Sequence, residues 1–100
     1  MTVALMWEAR AVEGRGAELL AWARERAREL ADGPTGGGVG GPVRRECFRA
    51  PQDRVLVITW WDAAFDAELP ELPEPAAELV TRAVHRWRFE SVESVAASAG

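Results

Sequence analysis

The sequence predicts a single α+β domain in which helices cover one face of a four-stranded antiparallel sheet. Several short stretches alternate apolar and polar residues, which is typical of strands, and one long segment has the spacing of an amphipathic helix. A chain of 100 residues has room for one hydrophobic core but not for two. We therefore assign residues 1–95 to one domain and residues 96–100 to a disordered tail.

The first two predicted elements are a strand at residues 3–11 and a helix at residues 17–31. In the strand, apolar residues occupy both faces until Glu8, which indicates burial on one face and partial burial on the other. The helix gathers leucine and alanine on one side and charged residues on the other. Trp22 lies at the edge of that apolar side, where it either packs along its own helix or contacts a second chain.

The segment after the helix contains Gly36, Gly38 and Gly41, which have the G-x-G-x-x-G spacing of dinucleotide-binding loops. Such a loop leaves a strand and opens a helix, so that helix amides meet the pyrophosphate. Here the spacing follows a helix and precedes a predicted strand. We therefore interpret the segment as a flexible connector and expect no cofactor.

Two strands are predicted at residues 43–50 and 54–61, joined by a turn at residues 51–53. The second of them is β-branched and aromatic and is apolar on both faces, which is typical of a central strand covered on both sides. Trp60 and Trp61 end this strand. Because they are adjacent, their side chains point to opposite faces, and each either packs in the core or lines a pocket.

The last part of the chain is predicted to hold an acidic, proline-rich segment at residues 62–75, a short helix at residues 76–84 and a strand at residues 85–92. The resulting order, strand–helix–strand–strand–helix–strand, is ferredoxin-like. It places the first and third strands in the middle of the sheet and both helices on one face. The other face then leaves apolar side chains bare, which favours association. We expect a homodimer that packs sheet on sheet.

The stretch from Gly41 to Asp62 resembles the middle of antibiotic biosynthesis monooxygenase (ABM) domains. Those domains commonly read G-x-x-x-x-E-x-x-R, then a P-x-D turn, then an apolar strand that ends near W-x-D. The matching positions are Glu46, Arg49, Pro51, Asp53, Trp60 or Trp61, and Asp62. The resemblance implies a dimeric α/β barrel with a hydrophobic pocket between sheet and helices. It also implies oxidation of aromatic polyketides by molecular oxygen without a cofactor, while relatives open the haem ring.

The chain departs from that family in two respects. It contains no Asn and no Tyr, whereas family members use these residues, with Trp, Arg and His, to stabilise the substrate anion. Its second predicted helix is also short and preceded by prolines. We infer an ABM-like dimer that binds a hydrophobic aromatic small molecule, and whether it also oxygenates that molecule is left open. The alternatives are a non-catalytic binding or accessory dimer and a structural dimerisation module with a filled core.

The candidate site residues lie on the predicted strands and at their ends. Candidate catalytic residues are Glu8, His85 and Arg88, and candidate substrate-binding residues are Met6, Trp60, Trp61 and Trp87. Glu8 is the first charged residue after the apolar part of its strand, and we predict an ion pair between Glu8 and Arg88. Alternatively, a Glu8 carboxylate that is shielded from water could have a raised pKa and serve as a base. His85 is solvated if the second helix reaches it, and it points into the pocket if the strand begins there.

Composition excludes several classes of function. The net charge of −4 argues against nucleic acid as a partner, and no apolar stretch has the length of a membrane span. The N-terminal stretch lacks the basic start of a signal peptide, so we expect a cytoplasmic protein. One cysteine and one histidine do not supply a four-ligand zinc site. Cys47 and His85 fall on opposite edge strands, so we expect Cys47 to be a small buried hydrophobic residue and not a nucleophile.

Overall fold

The elements of the fold lie close to their predicted positions. The computed structural model describes residues 1–32 and 41–95. Its elements are β1 (Thr2–Arg10), α1 (Gly16–Asp32), β2 (Arg44–Ala50), β3 (Arg54–Asp62) and β4 (His85–Glu90). Most of the predicted connector, with Gly36 and Gly38, and the predicted tail at residues 96–100 lie outside the described residues.

The strands form one antiparallel sheet in the order β2-β3-β1-β4. This order confirms that the first and third strands are central, and it makes the fold α+β and compatible with a ferredoxin-like arrangement. The register places Trp7 opposite Val57 and Met6 opposite Ile58 on the two central strands. Since side chains alternate along a strand, each of these pairs lies on a different face of the sheet.

One face of the sheet is covered by α1 and by the segment at residues 63–84, and the core lies in that layer. The sheet contributes Val3, Leu5, Trp7, Ala9, Val55, Val57 and Trp61, α1 contributes Leu19, Ala23 and Ala27, and the segment contributes Leu69, Leu72 and Leu79. Trp22 is half-buried at the edge of this layer, and the centroid of its ring lies 5.9 Å from that of Trp7. The guanidinium of Arg26, also on α1, lies 5.9 Å from the same Trp22 centroid. It therefore packs along its own helix against the core.

The predicted second helix at residues 76–84 is wrong. The chain there makes one 3₁₀ turn, Ala77–Leu79, and then Val80 bridges to Ala11 beside the sheet. A segment of this length does not offset the cost of nucleating a helix by itself. Backbone pairing of Val80 with Ala11 competes for the same residues, because an extended residue cannot also continue a helix.

Two arginines of β4 hold the irregular segment on the sheet. Arg88 donates hydrogen bonds to the carbonyls of Phe65 (2.6 Å) and Ala67 (2.9 Å), and Arg86 donates to the carbonyl of Leu72 (2.7 Å). Carbonyls outside regular structure need donors when they approach the core, and prolines in the segment have no N–H to offer. The arginines therefore supply the donors that a second helix would have supplied from its own backbone.

The turn between β2 and β3 caps α1. Gln52 and Asp53 both have positive φ, 69° and 59°, which is the backbone of a tight hairpin turn. The Asp53 carboxylate accepts hydrogen bonds from the N–H groups of Gly14 and Gly16, at 3.1 Å each. A Cβ on Gly16 would lie 2.7 Å from the Asp53 Oδ1, so glycine is required there. The aspartate of the P-x-D turn is thus a helix cap supplied from a distant loop.

Candidate functional site on the open face

The face of the sheet opposite α1, called the open face below, carries most of the candidate site residues. It consists of three cross-strand rows ordered from β4 to β2: Phe89, Ala4, Trp60 and Arg44; Trp87, Met6, Ile58 and Glu46; His85, Glu8, Leu56 and Phe48. Within the described residues no helix packs on these rows. Trp87 is 45% exposed and Phe89 is 52% exposed. The predicted bare apolar face is therefore confirmed.

The two adjacent tryptophans of β3 point to opposite faces, as predicted. Trp61 is completely buried on the covered face, where its Nε1 donates to the hydroxyl of Thr59 at 2.9 Å. Trp60 is half-exposed on the open face, and the Arg44 guanidinium lies 4.8 Å from its ring centroid. Trp61 is thus a core residue and Trp60 is a surface available to a ligand or a partner.

Glu8 forms an ion pair on the open face, although with a different partner from the predicted one. Both of its carboxylate oxygens accept from Nη2 of Arg82, at 2.7 and 2.9 Å, and the Glu8 side chain is only 16% exposed. The predicted ion pair with Arg88 is wrong, because Arg88 lies opposite Leu5 in the register and its side chain is on the covered face. Glu8 lies opposite His85 instead.

His85 is the first residue of β4, so the strand begins there, and its side chain lies on the open face. Its Nδ1 lies 3.6 Å from the Glu8 Oε1, and its ring meets the Trp87 ring edge-on with centroids 5.7 Å apart. The imidazole is about half exposed on the open face. Glu8, Arg82 and His85 form one charged cluster at the end of an otherwise apolar surface.

A shallow depression of about 200 Å³ adjoins this cluster. Its lining includes Glu8, Phe48, Ala50, Arg54 and Leu56. It forms because the small side chain of Ala50 lies in the same row as Arg54 and next to the larger Phe48 along β2. Arg49 also lines the depression. The surface therefore combines aromatic and aliphatic walls with one neutralised carboxylate and two arginines, which is the mixture typical of small-molecule sites.

The structure brings together five of the seven candidate residues: Met6, Glu8, Trp60, His85 and Trp87 share the open face. Arg88 and Trp61 lie on the covered face and have structural partners there. The sequence analysis missed Arg82, which was placed within the predicted helix, and Phe48. The alternation along β2 was a signal for Phe48, because it shares a face with Glu46 and Arg44.

Cys47 does not pair with His85. It lies opposite Val57 on β3 and therefore on the covered face, whereas His85 is on the open face of the other edge strand. Burial raises the pKa of the Cys47 thiol, and the nearby Arg24 and Arg45 oppose that effect only in part. Cys47 was predicted to be a small buried hydrophobic residue, and its side chain is partly buried. A raised thiol pKa disfavours the reactive thiolate.

The fold and the open face define a small α+β protein with an aromatic sheet surface and a charged cluster at one end. Among residues 1–32 and 41–95, no group of three or more His, Cys, Asp or Glu side chains is placed to hold a metal ion. In the same ranges, no helix is long and apolar enough to cross a membrane. No family model, no curated protein and no solved structure matches the chain.

Proposed function

We propose that this protein is an ABM-like homodimer that packs the open faces of two sheets together and binds a hydrophobic aromatic small molecule between them. The observation that carries the proposal is the open face itself, where Trp60, Trp87 and Phe89 remain accessible on a sheet with one covered side. In the same proposal, the segment at residues 63–84 takes the place of the second helix of a ferredoxin-like order. The paired sheets then form the barrel that the resemblance implies.

The area of the open face is large enough to drive association. Four strands about 4.8 Å apart and three rows about 6.8 Å apart span about 400 Å². At about 25 cal/mol per Å², covering one such face contributes about 10 kcal/mol, as an upper bound. Two such faces contribute up to about 20 kcal/mol, which is more than the roughly 4–15 kcal/mol that association costs.

An aromatic ligand fits the open face because the aromatic side chains of that face and its charged side chains lie in different places. Trp60 and Trp87 offer ring faces against which a flat molecule can stack. The cluster of Glu8, Arg82 and His85 lies at one end and can fix the orientation of a polar substituent. A ligand between the two sheets would be shielded from water on both sides.

Oxygenation is the second candidate function, and the position of His85 beside Glu8 favours it. A neutral imidazole on the open face can accept the proton of a bound phenol, while Glu8 holds the resulting imidazolium. The phenolate would transfer electrons to molecular oxygen, and a ring carbon would form a C–O bond to give a hydroperoxide that takes the proton back from the imidazolium. Breaking the O–O bond and the C–H bond of that carbon would then release water and leave a quinone carbonyl. The non-catalytic alternative retains the same site without this chemistry.

Sedimentation and fluorescence test the proposal separately. Sedimentation equilibrium at micromolar concentration should report a dimer, and a Met6→Asp variant should report a monomer. Titration with an anthrone-like phenol or haem should quench tryptophan fluorescence. A monomer in the first experiment contradicts the dimer, and an absence of quenching contradicts the ligand site.

Two variants locate the ligand. Trp7 is buried in the covered layer with no partner for its Nε1 among the described residues, and the family resemblance implies a pocket on that side. We expect Trp87→Ala to weaken binding of the phenol by about tenfold and Trp7→Phe to leave it unchanged. The opposite result would move the site into the layer under α1.

Oxygen consumption separates the enzyme from the binding protein. If the protein oxygenates an anthrone-like phenol, His85→Gln should abolish oxygen uptake while tryptophan quenching by the phenol persists. Arg28→Gln, on the outer surface of α1, is the matched control. Quenching without oxygen uptake in the unmodified protein would establish the non-catalytic alternative.

A further inference from the structure

A pair of arginines lies at the end of the open face, next to the depression. Arg10 and Arg54 lie directly opposite each other on the two central strands, one row beyond Glu8 and Leu56. Both side chains are exposed. Like charges at directly opposed positions destabilise a sheet, so this arrangement lowers stability unless an anion lies between the two cations.

Neither arginine has a carboxylate partner within 4.0 Å in the described part of the chain. Arg54 uses its Nε to donate to the carbonyl of Pro51 at 3.2 Å, and its two Nη groups have no acceptor among residues 1–32 and 41–95. By contrast, Arg44 and Arg82 on the same face are each paired with a glutamate.

The depression beside this pair has an apolar floor. Phe48, Ala50 and Leu56 line it, together with the charged residues Glu8, Arg49 and Arg54. Its volume of about 200 Å³ exceeds the roughly 150 Å³ cavity that admits a benzene ring. Because Arg82 pairs with Glu8, Arg49 and Arg54 give the lining of the depression a net positive charge.

We propose that the depression and the arginine pair bind an aromatic carboxylate, with its ring on Phe48 and Leu56 and its carboxylate between Arg10 and Arg54. This inference rests on the proposed function, because it adds to the Trp60 and Trp87 surface a second subsite for aromatic acids, on the β2 and β3 side of the same open face. A guanidinium presents two parallel N–H groups that match the two oxygens of a carboxylate. The anion also relieves the repulsion between the two arginines, so binding gains from both effects.

The test compares two ligands that share one ring system. We measure binding of 2-naphthoate and of 2-naphthol to the full chain by isothermal titration calorimetry at low salt. We expect naphthoate to bind about tenfold more tightly than naphthol, and the difference to shrink as ionic strength rises and screens the charges. Circular dichroism confirms that each variant below is folded.

Variants assign the preference to the arginine pair. Arg10→Gln and Arg54→Gln should each reduce the affinity for naphthoate by about threefold to tenfold and leave naphthol binding unchanged. Arg54→Lys should retain part of the preference, since it keeps the charge but not the fork. Arg28→Gln, which removes an exposed arginine of α1 paired with Glu25, should change neither affinity.

The outcomes distinguish this inference from the proposed function. Equal binding of naphthoate and naphthol overturns the arginine site and leaves the aromatic site standing. A naphthoate preference that persists in both glutamine variants also overturns it, because another cation would then be responsible. If neither ligand binds, the aromatic site of the proposed function fails together with this inference.

Discussion

Replacing Arg88 tests whether this candidate catalytic residue holds the fold together instead. Its guanidinium donates to the carbonyls of Phe65 and Ala67, at 2.6 and 2.9 Å. Arg88→Met keeps much of the aliphatic stem and removes both donors. Hydrogen bonds from a charged group contribute about 1.5–3 kcal/mol each. At a half-exposed site, water that bonds to the freed carbonyls restores part of this stabilisation. We therefore expect a loss of about 2–3 kcal/mol in the free energy of unfolding.

The assay is urea unfolding followed by far-ultraviolet circular dichroism at one fixed protein concentration, because the proposed dimerisation would make stability depend on concentration. The expected loss corresponds to a Tm decrease of about 10–20 °C for a domain of this size. Arg28→Met is the matched control and should cost less than about 0.5 kcal/mol.

A second measurement separates structure from function in the same variant. Since Arg88 is on the covered face, folded Arg88→Met should bind an anthrone-like phenol as tightly as the unmodified chain. A loss of stability no larger than that of the control, combined with a loss of phenol binding, would show that Arg88 belongs to the ligand site and that our assignment of its role is wrong.

Three further predictions follow from the cap, the open face and the thiol. Asp53→Ala should lower the free energy of unfolding by about 1–2 kcal/mol, measured by urea unfolding, whereas Asp66→Ala should leave it unchanged. Ile58→Asp should yield a monomer in sedimentation equilibrium with an unchanged circular dichroism spectrum; a dimer would contradict sheet-on-sheet packing. Because the pKa of Cys47 is raised in the folded state, stability should decrease as pH rises above the pKa of a free thiol, since only the unfolded thiol ionises there. Cys47→Ala should remove that decrease, and an identical pH profile in both proteins would refute the assignment.

Strand alternation made much of the fold predictable from the sequence. The apolar residues on both faces of β3 predicted a central strand, and the order of elements predicted which strands are edges. The same alternation separated Trp60 from Trp61. These features depend on residues that are near neighbours in sequence, for which the period of the side chains determines the face.

The parts that the sequence did not predict depend on contacts between distant residues. Arg88 and Glu8 lie on neighbouring strands, but only the register shows that they face opposite sides of the sheet. Arg82 reaches Glu8 because the chain before β4 is irregular, and the helical pattern of that segment predicted otherwise. A local propensity for helix is weak information when a proline-rich connection and a bridge to Ala11 determine the path.

The filled layer under α1 has a consequence for where a ligand can bind. The resemblance implies a pocket between sheet and helices, but Trp7 and Trp61 occupy that layer almost without exposure, with Leu72 and Leu79 from the irregular segment packed on the same side. The arginines of β4 fix this segment by its carbonyls, so opening a pocket there would break their hydrogen bonds. The open face requires no such rearrangement, because its aromatic residues are already accessible. The proposed ligand binding and the proposed dimerisation therefore involve the same surface, and a partner sheet that covers the apolar rows would leave the charged end as the entrance.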